Sequence, residues 1–178
     1  MIGFLRCVGL LNAAIWFGAG IHFTFFAGAA AFSPEMKELI GANNYPYFSG
    51  AIAQILITRY FRLQIICAII AFIHLWADRL YFGRPPEKRW VGLSLLLLSL
   101  TLAGRYWLQP RLSALHKLKY AVNVSPQVQE AASASFRAWH GVAQMINLAM
   151  LIGLGIYLWR IANAEDSARF VSSSKFRS

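Results

Sequence analysis

Acidic residues and cysteines are scarce in this 178-residue chain. It has only seven Asp and Glu residues against 17 Lys and Arg residues, and its only cysteines are Cys7 and Cys67. Two cysteines exclude a disulfide framework and a Cys-rich metal site. Paired carboxylates, a phosphate-binding glycine loop and a serine in a nucleophile-elbow turn are also missing from the sequence. We therefore expect a protein without catalytic activity.

Charged residues of either sign are few as well. They make up 13% of the chain, whereas 58% of the residues are hydrophobic and 15% aromatic. A soluble domain of this size needs more polar surface, so the composition indicates a membrane protein. The formal net charge of +10 does not predict nucleic-acid binding. The basic residues lie at the ends of apolar stretches and in short loops, where they contact lipid headgroups and set orientation.

Four apolar stretches are long enough to cross a bilayer. They cover about residues 9–32, 58–80, 90–108 and 137–159. We predict an all-α integral membrane protein that folds as a four-helix transmembrane bundle, with short amphipathic interfacial helices in the longer loops. Residues 1–162 form its single domain. The Ser- and charge-rich tail at 163–178 is expected to be mobile.

Local signals set the predicted limits of these segments. Ser33-Pro34-Glu35 is typical of a helix start, with a capping residue, a first-turn proline and a first-turn acid. The pattern is helical from residue 47 to residue 82, but Arg59 and Arg62 interrupt its apolar run. Residues 47–57 are therefore predicted to be an interfacial or kinked entry segment before the second span. Gln109-Pro110 is predicted to end the third span. A modest excess of Lys and Arg on the side of the termini predicts that both termini are cytoplasmic.

Polar residues within the spans follow helical spacing. Arg137, His140, Gln144 and Asn147 are separated by three or four residues and share one helix face, which we predict points inward. Gly20, Thr24 and Gly28 recur every four residues, a pattern that favours close helix packing in lipid. The inward residues either hold the bundle together through hydrogen bonds or line a path for an ion, a metal or a proton.

Histidines are the candidate ligands for a cofactor or a metal. Haem or another tetrapyrrole would use His22, His74 and His140, but their different depths along the spans argue against simple axial ligation, and His116 is predicted to lie in a loop. Copper or another metal would use His140, His74, Asp78 and Cys67. No bound cofactor is predicted.

Several motifs resemble one family of membrane proteins. They are Trp16-Phe17-Gly18 in the first span, Pro110-Arg111 after the third, and Phe136-Arg137-Ala138-Trp139-His140-Gly141 with Met145-Ile146-Asn147-Leu148 in the fourth. Together they resemble a family of small four-helix membrane proteins of unknown function that includes a transmembrane protein linked to platinum-drug tolerance. The architecture is also distantly similar to bacterial copper-resistance membrane proteins. The resemblance implies His140, with Asn147 behind it, as the functional position.

The function predicted from the sequence is that of a non-catalytic accessory or scaffold subunit in a larger membrane complex. Short loops leave no soluble site, and Trp- and Phe-rich spans suit contacts with lipid, other subunits or a second copy. The alternative is the handling or transport of a small cation or a copper-like metal through the inward polar stripes. Haem or tetrapyrrole binding is a further alternative.

Overall fold

The computed structural model describes residues 2–82 and 87–163, apart from the side chains of residues 2, 78, 79, 81 and 82. Every regular element in these two ranges is helical. Four helices are long and apolar enough to cross a membrane. This confirms the predicted all-α fold with four candidate spans. The tail at 164–178 lies outside the described residues.

Five helices follow one another along the chain, and two of them contain a π-helical turn. They are α1 (Ile2–His22, π-helical Phe23–Ala27, then Gly28–Ala30), α2 (Pro34–Ile40), α3 (Tyr45–Phe82), α4 (Lys88–Ala103, π-helical Gly104–Leu108, then Gln109–Lys119) and α5 (Pro126–Ala162). All are long except α2. The loop between the third and fourth spans contains no helix of its own among the described residues. The helical segments predicted there belong to the end of α4 and the start of α5.

The continuous helical pattern predicted from residue 47 to residue 82 is confirmed, whereas the helix end predicted at Gln109-Pro110 is wrong. Helix α3 is continuous from Tyr45 to Phe82, so residues 47–57 form one helix with the second span. Arg59 and Arg62 are exposed on this helix and interrupt only its apolar surface. Helix α4 continues past Pro110 to Lys119. The π-helical turn directly before Pro110 rearranges the backbone hydrogen bonds there, which accommodates a residue that has no N–H to donate.

The helices are longer than a bilayer is thick. At 1.5 Å per residue, the 38 residues of α3 span about 57 Å, whereas the hydrocarbon core is about 30 Å thick. Arg89 and Arg105 of α4 are about 24 Å apart along the helix axis, and Arg137 and Arg160 of α5 about 35 Å. These arginines therefore fit the two headgroup levels. Helix α3 is therefore longer than a perpendicular crossing of the hydrocarbon core requires.

Helix α1 packs between α3 and α5 and forms the core of the bundle with them. Trp16 is 1% exposed, and its Nε1 donates a hydrogen bond of 2.6 Å to Oε1 of Gln64. The Trp16 ring also makes an edge contact with Tyr157. Asn12 donates from Nδ2 to the backbone carbonyl of Cys67 at 3.0 Å. Hydrogen bonds between buried polar groups therefore fix α1 against α3, as expected in an apolar medium.

Helix α2 begins as predicted from its capping residues. The Ser33 hydroxyl accepts a hydrogen bond of 3.2 Å from the backbone N–H of Met36, and Pro34 occupies the first turn. Hydrogen bonding to Ser33 also lowers the pKa of the exposed Glu35 carboxyl below its ordinary value. Tyr45 then donates from its hydroxyl to the carbonyl of Phe32 at 2.8 Å, which ties the start of α3 to the end of α1.

Candidate functional site

A cavity of ≈ 420 Å³ lies between α1, α3, α4 and α5. We call it the interhelical cavity. Its walls combine apolar side chains with amides, one hydroxyl and two imidazoles, contributed by all four long helices. The lining residues are Phe23, Thr24, Gly28, Ala29, Phe32, Gly50, Ala53, Gln54, Ile57, Gln109, Leu112, His116, Phe136, His140, Gln144 and Asn147. None of these residues is acidic or carries a Lys or Arg charge, so the cavity suits a neutral ligand.

The cavity lies at the same level as the two π-helical turns. Thr24 belongs to the turn in α1, and Gln109 directly follows the turn in α4. Arg105, which precedes Gln109 by one helical turn, marks the headgroup level. This placement indicates a cavity near one membrane surface, where both an apolar and a polar part of a ligand are accommodated.

His116 is the most deeply buried polar group of the cavity. It is 5% exposed, and its ring stacks on Tyr47 with centroids 5.5 Å apart. The ring is hydrogen-bonded to the backbone carbonyl of Pro46, whereas its Nε2 has no partner among the described residues. Nδ1 is therefore the donor to Pro46, which leaves Nε2 of the neutral imidazole as a free acceptor. Gly50 provides the space for this ring, since a Cβ there would overlap it.

The structure divides the predicted inward stripe of α5. His140, Gln144 and Asn147 line the cavity, whereas Arg137 does not. Gln144 Nε2 lies 3.4 Å from His140 Nε2, and the His140 ring stacks on Phe136 at 5.8 Å. Arg137 instead donates from Nη1 to the Ser133 hydroxyl at 3.2 Å and is exposed. Three of the four predicted residues thus belong to one site.

The small-residue edge of α1 contacts the same region. A Cβ on Gly20 would lie 2.8 Å from Cδ2 of Leu151, so this glycine allows α1 to approach α5 closely. Thr24 accepts a hydrogen bond of 2.8 Å from Nδ2 of Asn147 and donates to the carbonyl of Gly20 at 2.7 Å. Gly28 meets no other helix within 4 Å and lines the cavity instead. Gly20 and Thr24 therefore contact α5, whereas Gly28 faces the cavity.

The remaining ligand candidates do not reach the cavity. His74 is buried at the α1–α3 interface, where its Nε2 lies 3.0 Å from the carbonyl of Leu5 and its ring lies against Gly9. Gly9 and Thr24 are about 22 Å apart along α1, so His74 and His140 cannot share a ligand. Cys67 is buried at the same interface. The Asp78 side chain lies outside the described residues.

His22 also lies apart from the other histidines. Its ring is exposed on α1 and stacks on Phe26 at 5.8 Å. The structure does not bring His22, His74 and His140 together, so these three residues do not form an axial pair for haem or another tetrapyrrole. In the part of the chain that the structure describes, no group of three or more His, Cys, Asp or Glu side chains is placed to hold a metal ion.

Sequence reasoning missed His116, Gln54 and Gln109. His116 was predicted to lie in a loop because Pro110 was interpreted as the end of a helix. A signal was nevertheless present: Leu108, Leu112 and His116 recur every four residues, and all three are buried. This spacing is typical of a continuing helix with an inward face.

Comparisons with known proteins give a family and no named relative. The model of a family described as a domain of unknown function, DUF4149, matches residues 11–121. Comparison with curated proteins and with solved structures gave no match. The resemblance to the platinum-tolerance and copper-resistance proteins therefore stays a prediction. The matched range includes α1, α2, α3 and α4 with His116. By this match, the chain belongs to the DUF4149 family.

Proposed function

We propose that this protein is a non-catalytic membrane protein that holds a small amphipathic molecule in the interhelical cavity. The observation that carries the proposal is the His116 ring, which lines the cavity, is 5% exposed and has an unpartnered Nε2. A buried polar atom without a hydrogen bond costs roughly 1–3 kcal/mol. Nε2 lies against Gly50, and a ligand hydroxyl or N–H that reaches it from the cavity removes this cost.

The other walls define the chemistry of the ligand. Asn147, Gln144 and Gln109 provide amide groups that both donate and accept hydrogen bonds. Phe23 and Phe32 supply apolar surface on the side of α1. The absence of charged side chains from the described lining favours an uncharged ligand, and a volume of ≈ 420 Å³ lies within the range of small-molecule sites. The ligand class is therefore a neutral amphiphile with at least one hydrogen-bond donor.

Copurification tests this proposal. The full chain is extracted gently, and bound small molecules are identified by native mass spectrometry followed by chromatography of the released fraction. We compare the unchanged protein with His116→Phe, which keeps an aromatic ring but removes Nε2. The matched control is His22→Phe, since His22 is exposed and lies outside the cavity. We expect about one bound molecule per chain in the unchanged protein and in the control, and none in His116→Phe.

Two outcomes would contradict ligand binding at this site. One is the absence of any copurifying molecule from the unchanged protein. The other is equal retention by His116→Phe and the unchanged protein, while thermal unfolding shows both to be folded. Retention that is lost in both histidine variants would also argue against the cavity, because His22 does not line it.

A soft metal ion is a second candidate, favoured by the same imidazole. A metal-binding histidine commonly donates its other ring nitrogen to a backbone carbonyl, and His116 does this to Pro46. His140 lines the same cavity, and both imidazole rings contact Phe136. The resemblance to copper-resistance proteins adds to this candidate. Stoichiometric copper in the purified protein, lost in both His116→Ala and His140→Ala, would favour the metal over the amphiphile.

We also propose the accessory role in a larger membrane assembly. Large aromatic side chains are exposed on the outer faces of the helices, among them Phe25, Trp76, Trp107 and Trp159. Such side chains contact either lipid or another subunit. Native mass measurement after gentle extraction distinguishes contact with lipid from contact with another subunit. Copurifying subunits support the accessory role, and a lone chain contradicts it.

A further inference from the structure

A second cleft lies on the outer side of α3 and α4. Its volume is ≈ 410 Å³, and we call it the basic cleft. It adjoins the interhelical cavity, because Gln54 and Gln109 line both. The side chains that define it are Thr58, Arg59, Arg62, Gln109, Ser113 and Lys117. Three of these residues are cationic, which distinguishes this cleft from the uncharged interhelical cavity.

We propose that the basic cleft binds the phosphate group of an anionic lipid. Arg59 and Arg62 are three residues apart on α3 and therefore lie on one helix face. Lys117 approaches from α4 on the other side of the cleft. Two guanidinium groups on one helix face match the geometry and charge of a phosphate, which guanidinium binds through paired N–H groups, and Lys117 adds positive charge farther along the same cleft.

The three cations have no protein counter-ion in the described residues. No acidic residue lines the cleft, and the ion pair found in the described ranges joins Arg89 to Glu87. Like charges that share a cleft repel one another. An anion therefore stabilises this arrangement, whereas a cation or an uncharged ligand does not.

Neighbouring polar groups complete the site. Arg105 donates from Nη1 to Oε1 of Gln109 at 3.1 Å, which fixes the orientation of the amide. Gln109 Nε2 then donates to the Thr58 hydroxyl at 3.3 Å, linking α4 to α3 beneath the cleft. Ser113 adds a hydroxyl donor to the lining. The floor of the cleft is thus held in place before a ligand arrives, which lowers the entropy cost of binding.

The apolar surface beside the cleft favours a lipid over a free phosphate ion. Leu63 and Ile66 follow Arg59 and Arg62 at helical spacing on the same face of α3, and both are exposed. They lie on the side that continues into the apolar span. A lipid headgroup in the cleft therefore directs its acyl chains along Leu63 and Ile66, where a free phosphate makes no contact.

Lipid titration in detergent tests the proposal. The purified full chain is titrated with phosphatidylglycerol and, separately, with zwitterionic phosphatidylcholine, and bound lipid is counted by native mass spectrometry. Arg59→Gln with Arg62→Gln is compared with Arg111→Gln, because Arg111 lies outside the cleft, 4.3 Å over the Trp139 ring. We expect phosphatidylglycerol binding to weaken about thirtyfold in the double variant, since each cation contributes roughly a fivefold factor, and to change less than about twofold in the control.

Lys117→Gln provides an independent measurement from the opposite helix, with an expected loss of about fivefold. Thermal unfolding checks that each variant is folded. Equal binding by the double variant and the unchanged protein would overturn the proposal, as would equal binding of both lipids. Saturation by inorganic phosphate without lipid, lost in the double variant, would assign the cleft to a free phosphate and overturn the lipid assignment.

Discussion

Replacing Gly50 with alanine is expected to destabilise the bundle by displacing the His116 ring. A Cβ at this position would overlap Nε2 of His116 and lie 2.7 Å from Cδ2 and 2.9 Å from Cε1. The ring cannot retreat freely, because it contacts Tyr47 and Tyr120 with centroids 5.5 and 5.1 Å away. The substitution therefore adds volume where the neighbours cannot give way.

The magnitude follows from two opposing effects. Alanine gains roughly 0.5–1 kcal/mol over glycine within a helix. Forcing an extra carbon into a packed site costs roughly 1–3 kcal/mol. Gly92→Ala on α4 is the matched control. A Cβ there meets nothing within 4 Å, so this substitution gains helix propensity without a steric cost. Gly50→Ala should therefore be less stable than Gly92→Ala by roughly 1–3 kcal/mol.

Unfolding in detergent, followed by tryptophan fluorescence, measures this difference. The double variant Gly50→Ala with His116→Ala should recover part of the lost stability, since the overlapping ring is gone. If Gly50→Ala were as stable as Gly92→Ala, the close approach of Gly50 to His116 would be refuted. The same result would weaken the argument that Gly50 provides the space for the His116 ring beside the cavity.

Two further predictions concern the α1–α3 interface and the cap of α2. Trp16→Phe should destabilise the protein by more than about 1 kcal/mol, because Oε1 of the buried Gln64 loses its donor and the smaller ring leaves a cavity. Trp16→Phe combined with Gln64→Met should recover the part due to the lost hydrogen bond in the same unfolding assay, and no recovery would contradict the pairing. Ser33→Ala should raise the pKa of Glu35 toward its ordinary value of 4.5, as measured by an NMR pH titration. Because the folded pKa is lowered, this carboxylate stabilises α2 above its ordinary pKa, and the contribution is lost as the pH falls through the lowered pKa. An unchanged pKa in Ser33→Ala would show that the hydroxyl does not cause the shift.

The four candidate spans were predictable because an apolar stretch of this length has few places other than a membrane where it can be buried. The point at which helix α4 ends was not predictable in the same way. Arg59 and Arg62 mark the level of the headgroups, but a helix that extends beyond the bilayer continues past that level without a break. Hydrophobicity reports where the hydrocarbon ends, whereas the end of a helix depends on capping and packing. The sequence therefore underestimated the length of α4, whereas the helical pattern over residues 47–82 already matched α3.

The candidate site was predictable only in the part that one helix contributes. Helical spacing placed His140, Gln144 and Asn147 on a shared face of α5, and all three line the cavity. His116 depends on helix α4 continuing past Pro110 and on the close approach of Gly50 from α3. Contacts between helices far apart in sequence leave no periodic signal in one sequence. The cavity could not be assembled without the fold.

The π-helical turn in α4 determines which residues face the bundle beyond it. Up to this turn the buried positions alternate by three and four residues, at Ser94, Leu97, Thr101 and Gly104; beyond it they are four apart, at Leu108, Leu112 and His116. A continued alternation would have selected Arg111 and Leu115 instead. One extra residue in a regular helix would rotate the following segment by about 100°, and the wider π turn absorbs this rotation. Regular α-helix through Gly104–Leu108 with no deletion would therefore turn Arg111 and Leu115 inward in place of Leu112 and His116. Deleting one residue together with the π turn would keep His116 inward, so any relative with regular α-helix here requires a one-residue gap before its equivalent of His116 can be aligned.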